Sequence, residues 1–359
     1  MSWRVPFEAR SPKVFPAALK GRIDRTVFPS EVLRGNPWGD PVERELPVYV
    51  PPSGETRDRP LLVLLTGYTG AGWMHFQRPR FLSDTIVGRL DRLIHDGEAA
   101  EAVLVAPDCL TMLGGSQYLN STATGRYEDY VISEIVPWVR RKYGTGPIAV
   151  LGTSSGGYGA LSLALRHPDV LRAAGSNAGD AYFEYSYQPE FPIAFREIRR
   201  AGGPEALLRR VLGEPVSNFG PRNPMIQAFE MLGYASCYSP VDAEPGRFDL
   251  PFDLETGAVR EDVWARWLEC DPVRMIQTER YRAALHRLAY VYVDGGTRDE
   301  YGLDVGAGIF AATAASGGYH VDHEEFDGVH WDGGPRYVVM IPRLLTALGF
   351  PAPGAPRSA

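Results

Sequence analysis

Short apolar runs alternate with longer amphipathic stretches along most of this chain. Leu61-Leu62-Val63-Leu64-Leu65 is apolar at every position, the pattern of a strand covered on both faces of a mostly parallel sheet. Ala102-Val103-Leu104-Val105-Ala106 and Ile148-Ala149-Val150-Leu151 repeat it, and strands are predicted again over 171–176, 288–293 and 320–326. Upstream, residues 43–50 contain Pro47 and stop at Pro51-Pro52, which predicts an edge or antiparallel strand. Tyr127, Val131, Ile135 and Trp138 share one helical face, with a kink or a reset of the last turn expected at Pro137. An alanine- and leucine-rich helix follows Ser154 and ends at His167-Pro168, and further helices are predicted over about 302–315 and 335–348.

Strand and helix thus alternate in the manner of a doubly wound α/β sheet. The rhythm fails between about 180 and 280, where Tyr182, Phe183, Tyr185, Tyr187, Phe191 and Phe195 cluster. That stretch reads as a cap inserted between two strands. A single domain over 1–359 is expected, with an N-terminal extension over 1–40 and a disordered tail from 351. The 359 residues carry a net charge of -7, which argues against a nucleic-acid partner. Three widely spaced cysteines, Cys109, Cys237 and Cys270, suit a reduced compartment and form no zinc motif. The first 20 residues have no continuous apolar core and no later run is long enough to span a bilayer. A cytoplasmic location without membrane attachment is therefore expected.

The chemistry centres on Gly152-Thr153-Ser154-Ser155-Gly156, between a buried strand and a helix. Gly-x-Ser-x-Gly in that context makes a strained turn with the serine hydroxyl at its tip. A phosphate loop would need Gly-Lys-Ser/Thr, and the three lysines, Lys13, Lys20 and Lys142, all lie elsewhere. A serine hydroxyl needs a base to attack, and His330, in a Gly-Val-His-Trp loop after the last strand, is the best placed. His320 and His323 read as structural, His167 as a helix C-terminal residue, and His75 as a pocket residue. Asp294, Asp299 and Glu300 compete for the acid. Asp299 is favoured because its offset carries a carboxylate over the sheet, with Glu300 as the alternative. Backbone N–H groups of Tyr68 and Ser155 would hold a developing oxyanion. The loop residues Gln117, Tyr118 and Asn120 would shape a substrate pocket. His320-x-x-His323-Glu324 matches neither zinc-protease pattern, so neither metal nor cofactor is expected.

With the pieces at 44–51, 65–70, 120–128, 152–157, 294–300 and 328–331, the sequence resembles the putative-esterase branch of the α/β-hydrolases. That branch includes esterase D (S-formylglutathione hydrolase), the antigen 85 mycolyltransferases and enterochelin-esterase-like proteins. The resemblance implies an α/β-hydrolase fold, nucleophile Ser154, base His330 and an acid in the Asp299/Glu300 pair. The esterase D pattern places that acid at Asp299 and the antigen 85 pattern at Glu300. The expected activity is serine carboxylic-ester hydrolysis through an acyl-enzyme on a small-molecule ester. An acyltransferase or a thioester hydrolase with the same triad, and a catalytically silent binding protein on the same fold, are the alternatives. Homo-oligomerisation stays open.

Overall fold

A computed structural model describes residues 18–77, 84–213 and 223–353. The beginning of the expected extension and the end of the expected tail lie outside the described residues. Eight strands form one sheet: β1 (Arg22–Pro29), β2 (Glu43–Val50), β3 (Leu61–Leu65), β4 (Val103–Val105), β5 (Ile148–Thr153), β6 (Ala173–Asn177), β7 (Tyr290–Gly296) and β8 (Asp322–Phe326). Their order is β1-β2-β4-β3-β5-β6-β7-β8. The first two strands run antiparallel to their neighbours, and β4, β3, β5, β6, β7 and β8 are mutually parallel.

The all-apolar β3 is buried on both faces because its side chains alternate between two cores. Leu61, Val63 and Leu65 join one cluster, with α2 (Ser155–Arg166) and α4 (Leu303–Ser316) packed over it. Leu62 and Leu64 join another, under α1 (Ile86–His95) and α5 (Tyr337–Ala347). Each fully buried leucine of this kind contributes about 2 kcal/mol relative to an exposed one.

Three sequence expectations shift. The extension read over 1–40 supplies β1, an edge strand whose mixed polar pattern is what a half-exposed edge tolerates. Residues 43–50 form an antiparallel but interior strand. Pairing of β2 with β4 involves Val48 and Tyr49, so Pro47, which has no N–H to give, falls outside that pairing. The helix expected at 127–142 is not one kinked α-helix. It runs as Tyr127–Asp129, a wider π turn over Tyr130–Ile135, and Val136–Tyr143. Pro137 then sits in the first turn of the last segment, where a missing N–H costs least.

Between β6 and β7 the chain builds a third, aromatic core over the carboxyl ends of the strands. Phe183, Tyr187, Phe191, Phe252, Trp264 and Trp267 are buried there, with edge-on contacts such as Phe191–Trp264 at 5.2 Å. Its longest helix is α3 (Pro224–Tyr238), begun by an Asn223 side chain that accepts the Met225 N–H. No described helix is long and apolar enough to cross a membrane.

Candidate active site

Ser154 joins β5 to α2 with φ 58° and ψ −130°, a left-handed conformation that costs a side-chain-bearing residue about 1–3 kcal/mol. The neighbours hold it there. Ser154 N–H donates to the Asn177 carbonyl at 3.0 Å and the Ser154 carbonyl accepts the Tyr158 N–H at 2.9 Å. A Cβ on Gly152 would meet the Gly156 carbonyl, and one on Gly156 would meet the Leu65 carbonyl. Both glycines are therefore required for the turn to sit this close to β3. Ser155 is the first residue of α2, so its N–H has no intrahelical acceptor and the positive helix end faces the turn.

Asp299 follows β7 and His330 follows β8, so both stand, like Ser154, at the carboxyl ends of parallel strands. His330 Nδ1 lies 2.8 Å from Asp299 Oδ2, the two side chains being 4% and 0% exposed. Asp299 Oδ1 accepts the Tyr301 N–H at 2.8 Å. Glu300 Oε2 instead accepts the main-chain N–H of His330 at 3.1 Å. The imidazole stacks edge-on between Tyr301 at 5.0 Å and Trp331 at 5.2 Å. Asp294, the third acid considered, is fully buried within an ion-paired network. It accepts from Arg336 Nε at 2.9 Å, from the Tyr292 hydroxyl at 2.8 Å and from Asn177.

Ser154 and His330 line one cavity of about 370 Å³, together with Thr66, Gly67, Tyr68 and Thr69 of the loop after β3. Among the described residues no hydrogen bond links the Ser154 hydroxyl to the imidazole; both line the cavity. The Tyr68 ring packs against Tyr234 at 5.0 Å and its hydroxyl donates to the Leu113 carbonyl. His75 lines the same cavity, and burial pushes its imidazole down to about 4, so it is neutral at neutral pH.

Gln117, Tyr118 and Asn120 are not among the residues that line the cavity. Gln117 and Tyr118 both have positive φ, 46° and 55°, and both are buried. Gln117 donates to Asp180, Tyr187 and Tyr238, and Tyr118 donates to the Thr66 carbonyl at 2.6 Å. Asn120 is exposed and accepts the Asp129 N–H. Of the other histidines, His167 caps α2 and meets Glu128 at 2.7 Å. His320 is exposed, and His323 lies on β8.

The cap-side wall escaped the sequence reading. Asp180, Tyr187, Glu190, Gln227, Glu230 and Tyr234 line the cavity. Burial raises the carboxyls of Asp180 and Glu230, the latter to about 8 with the charges of Glu190 and Asp180 adding to the effect. A sequence signal existed. Gln227, Glu230 and Tyr234 recur at i, i+3 and i+7, one stripe on an otherwise apolar helix.

A family model described as Putative esterase matches residues 41–330. The MPT51 antigen of Mycobacterium leprae (strain TN) is 34% identical over 96 residues, covering 22% of this chain. The match spans 32% of that antigen, about a third of its length. Among solved structures, an S-formylglutathione hydrolase from Agrobacterium tumefaciens superimposes with a TM-score of 0.58 at 14% identity, covering 93% of this chain and 98% of that one. A ferulic acid esterase from Anaeromyces mucronatus, solved in complex with ferulic acid, gives 0.52 at 14% identity, covering 93% and 94%. At such identities the two structures are likenesses of fold, and the family rests on the match over 41–330. The chain belongs to the Putative esterase family of α/β-hydrolases, a family of serine-hydrolase esterases.

Proposed function

We propose that the protein is a serine carboxylic-ester hydrolase working through an acyl-enzyme, with Ser154 as nucleophile, His330 as base and Asp299 as the acid. Ser154 Oγ attacks the ester carbonyl as His330 Nε2 takes its proton, and the carbonyl oxygen becomes the oxyanion of a tetrahedral intermediate. The amides of Ser155 and Tyr68 hold that oxyanion, a donor of this kind being worth about 3–4 kcal/mol. Collapse breaks the C–O bond, and His330 returns the proton to the leaving alcohol. Water, deprotonated by the same imidazole, then releases the acid and regenerates Ser154.

The observation that carries this reading is the pairing of a left-handed Ser154 with a histidine across one cavity, the histidine's far nitrogen lying 2.8 Å from a buried carboxylate. That contact supports Asp299 over Glu300, whose carboxylate is engaged with the His330 main chain. An aspartate on Nδ1 keeps the proton there, leaves Nε2 free to accept and stabilises the imidazolium. The test uses short-chain p-nitrophenyl esters with wild type and Ser154→Ala. The expected result is a burst of phenol followed by stoichiometric acid, both lost in the variant. Near-wild-type turnover in Ser154→Ala would overturn the reading. Phenol release that outpaces acid when an alcohol is added would move it to acyl transfer.

A further inference from the structure

The ester chemistry leaves the acidic side of the cavity without a task. Asp180, Glu190 and Glu230 line it, and its described lining residues include no lysine or arginine. Two of these carboxylates have protein partners. Asp180 accepts from the Tyr187 hydroxyl at 2.8 Å, from Gln117 at 3.2 Å and from the Ser155 hydroxyl at 3.4 Å. Glu190 accepts from Gln227 at 3.3 Å.

Glu230 is different. It is half-buried and lines the cavity, and among the described residues no donor or cation meets its carboxylate. The groups that face it are the Glu190 and Asp180 carboxylates and the rings of Tyr68, Tyr234 and Tyr301. Partial burial without a donor disfavours a carboxylate, and neighbouring carboxylates raise the cost of ionising it further. A ligand that brings positive charge offsets the cost of ionising Glu230 beside its two carboxylate neighbours. Tyr187, Tyr234, Tyr301 and the exposed Trp331 also open onto this cavity, and aromatic faces attract ammonium groups.

Building on the ester-hydrolase reading, we propose that the substrate is an ester carrying an ammonium group in its acyl or alcohol half, the ammonium being seated against Glu230. The cavity is of a size that suits a small ester. A neutral ester would offer Glu230 no counter-charge on ionisation.

The test titrates the intact protein by calorimetry with choline and with its neutral isostere 3,3-dimethylbutan-1-ol, at a pH where Glu230 is ionised. Choline is expected to bind at least about tenfold more tightly, and Glu230→Gln is expected to erase that difference. Equal affinities, no choline binding at about 10 mM, or a choline preference that survives in Glu230→Gln would each overturn the inference. Should the variant fail to fold, the wild-type comparison alone decides. Labelling of Ser154 by a neutral fluorophosphonate is read in parallel. A labelled Ser154 with no choline preference sinks the inference and spares the hydrolase reading; an unlabelled Ser154 sinks the hydrolase reading itself.

Discussion

Replacing Asp299 by asparagine changes one atom in the pair it forms with His330, and the geometry states what that change does. Asp299 Oδ1 accepts the Tyr301 N–H at 2.8 Å and Oδ2 faces His330 Nδ1 at 2.8 Å. An asparagine there keeps its oxygen on the Tyr301 N–H, because the amide NH₂ cannot accept it. The NH₂ then points at Nδ1, which must accept, so the ring proton moves to Nε2 and the base is in the wrong tautomer. The lost charge also withdraws support from the imidazolium, in a spot where the two side chains are only 4% and 0% exposed. A triad deprived of its tautomer in this way loses about 10⁴-fold in kcat, or about 5.5 kcal/mol of barrier. Glu300→Gln keeps an oxygen for the His330 N–H and should cost less than about tenfold, the loss of one charge-assisted bond. The assay is kcat on a p-nitrophenyl ester, with thermal unfolding confirming that both variants are folded. A Glu300→Gln loss of several thousandfold beside a nearly active Asp299→Asn would refute the assignment.

Three further outcomes follow from the same contacts. Ser154→Gly should be inactive yet more stable than Ser154→Ala by about 1 kcal/mol in denaturant unfolding, since glycine relieves the left-handed strain at a smaller entropic cost; no gain would mean the turn is unstrained. Arg336→Met strands the fully buried Asp294 and should cost about 3–5 kcal/mol, largely recovered in Arg336→Met/Asp294→Asn; an unchanged single variant would show that Asn177 and Tyr292 satisfy Asp294 by themselves. Glu230, raised from 4.5 to about 8 by burial and by the charges of Glu190 and Asp180, holds its proton in the folded state through a range where the unfolded chain has lost it. Stability should therefore fall as pH rises from about 4.5 to about 8. Glu230→Gln should flatten that part of the Tm profile, and an unchanged slope would remove Glu230 as its source.

The central strands β3 and β4 were readable because burial on both faces leaves nothing but apolar residues, as at Leu61–Leu65, each at most 1% exposed. The Ser154 turn was readable because its glycines are dictated by backbone contacts with β3. The edge strand β1 was harder, since one-sided exposure permits Arg22, Asp24 and Arg25 among its few apolar positions. Asp299 and Glu300 are adjacent in the chain, and only the backbone direction after β7 sends one to the imidazole and the other to the main chain. The polar stripe of α3 was legible at Gln227, Glu230 and Tyr234, but that it faces the cavity depends on how the helix is rotated over the sheet. Gln117 and Tyr118 misled for a related reason: loop residues at positive φ look exposed in sequence and are buried in space.

The most direct measurement is peptide mapping by mass spectrometry after brief exposure of the folded protein to a neutral fluorophosphonate. The account predicts one phosphonyl adduct, on Ser154, absent from unfolded protein and from His330→Ala. An adduct on a different residue, or a folded protein that stays unlabelled, would contradict it.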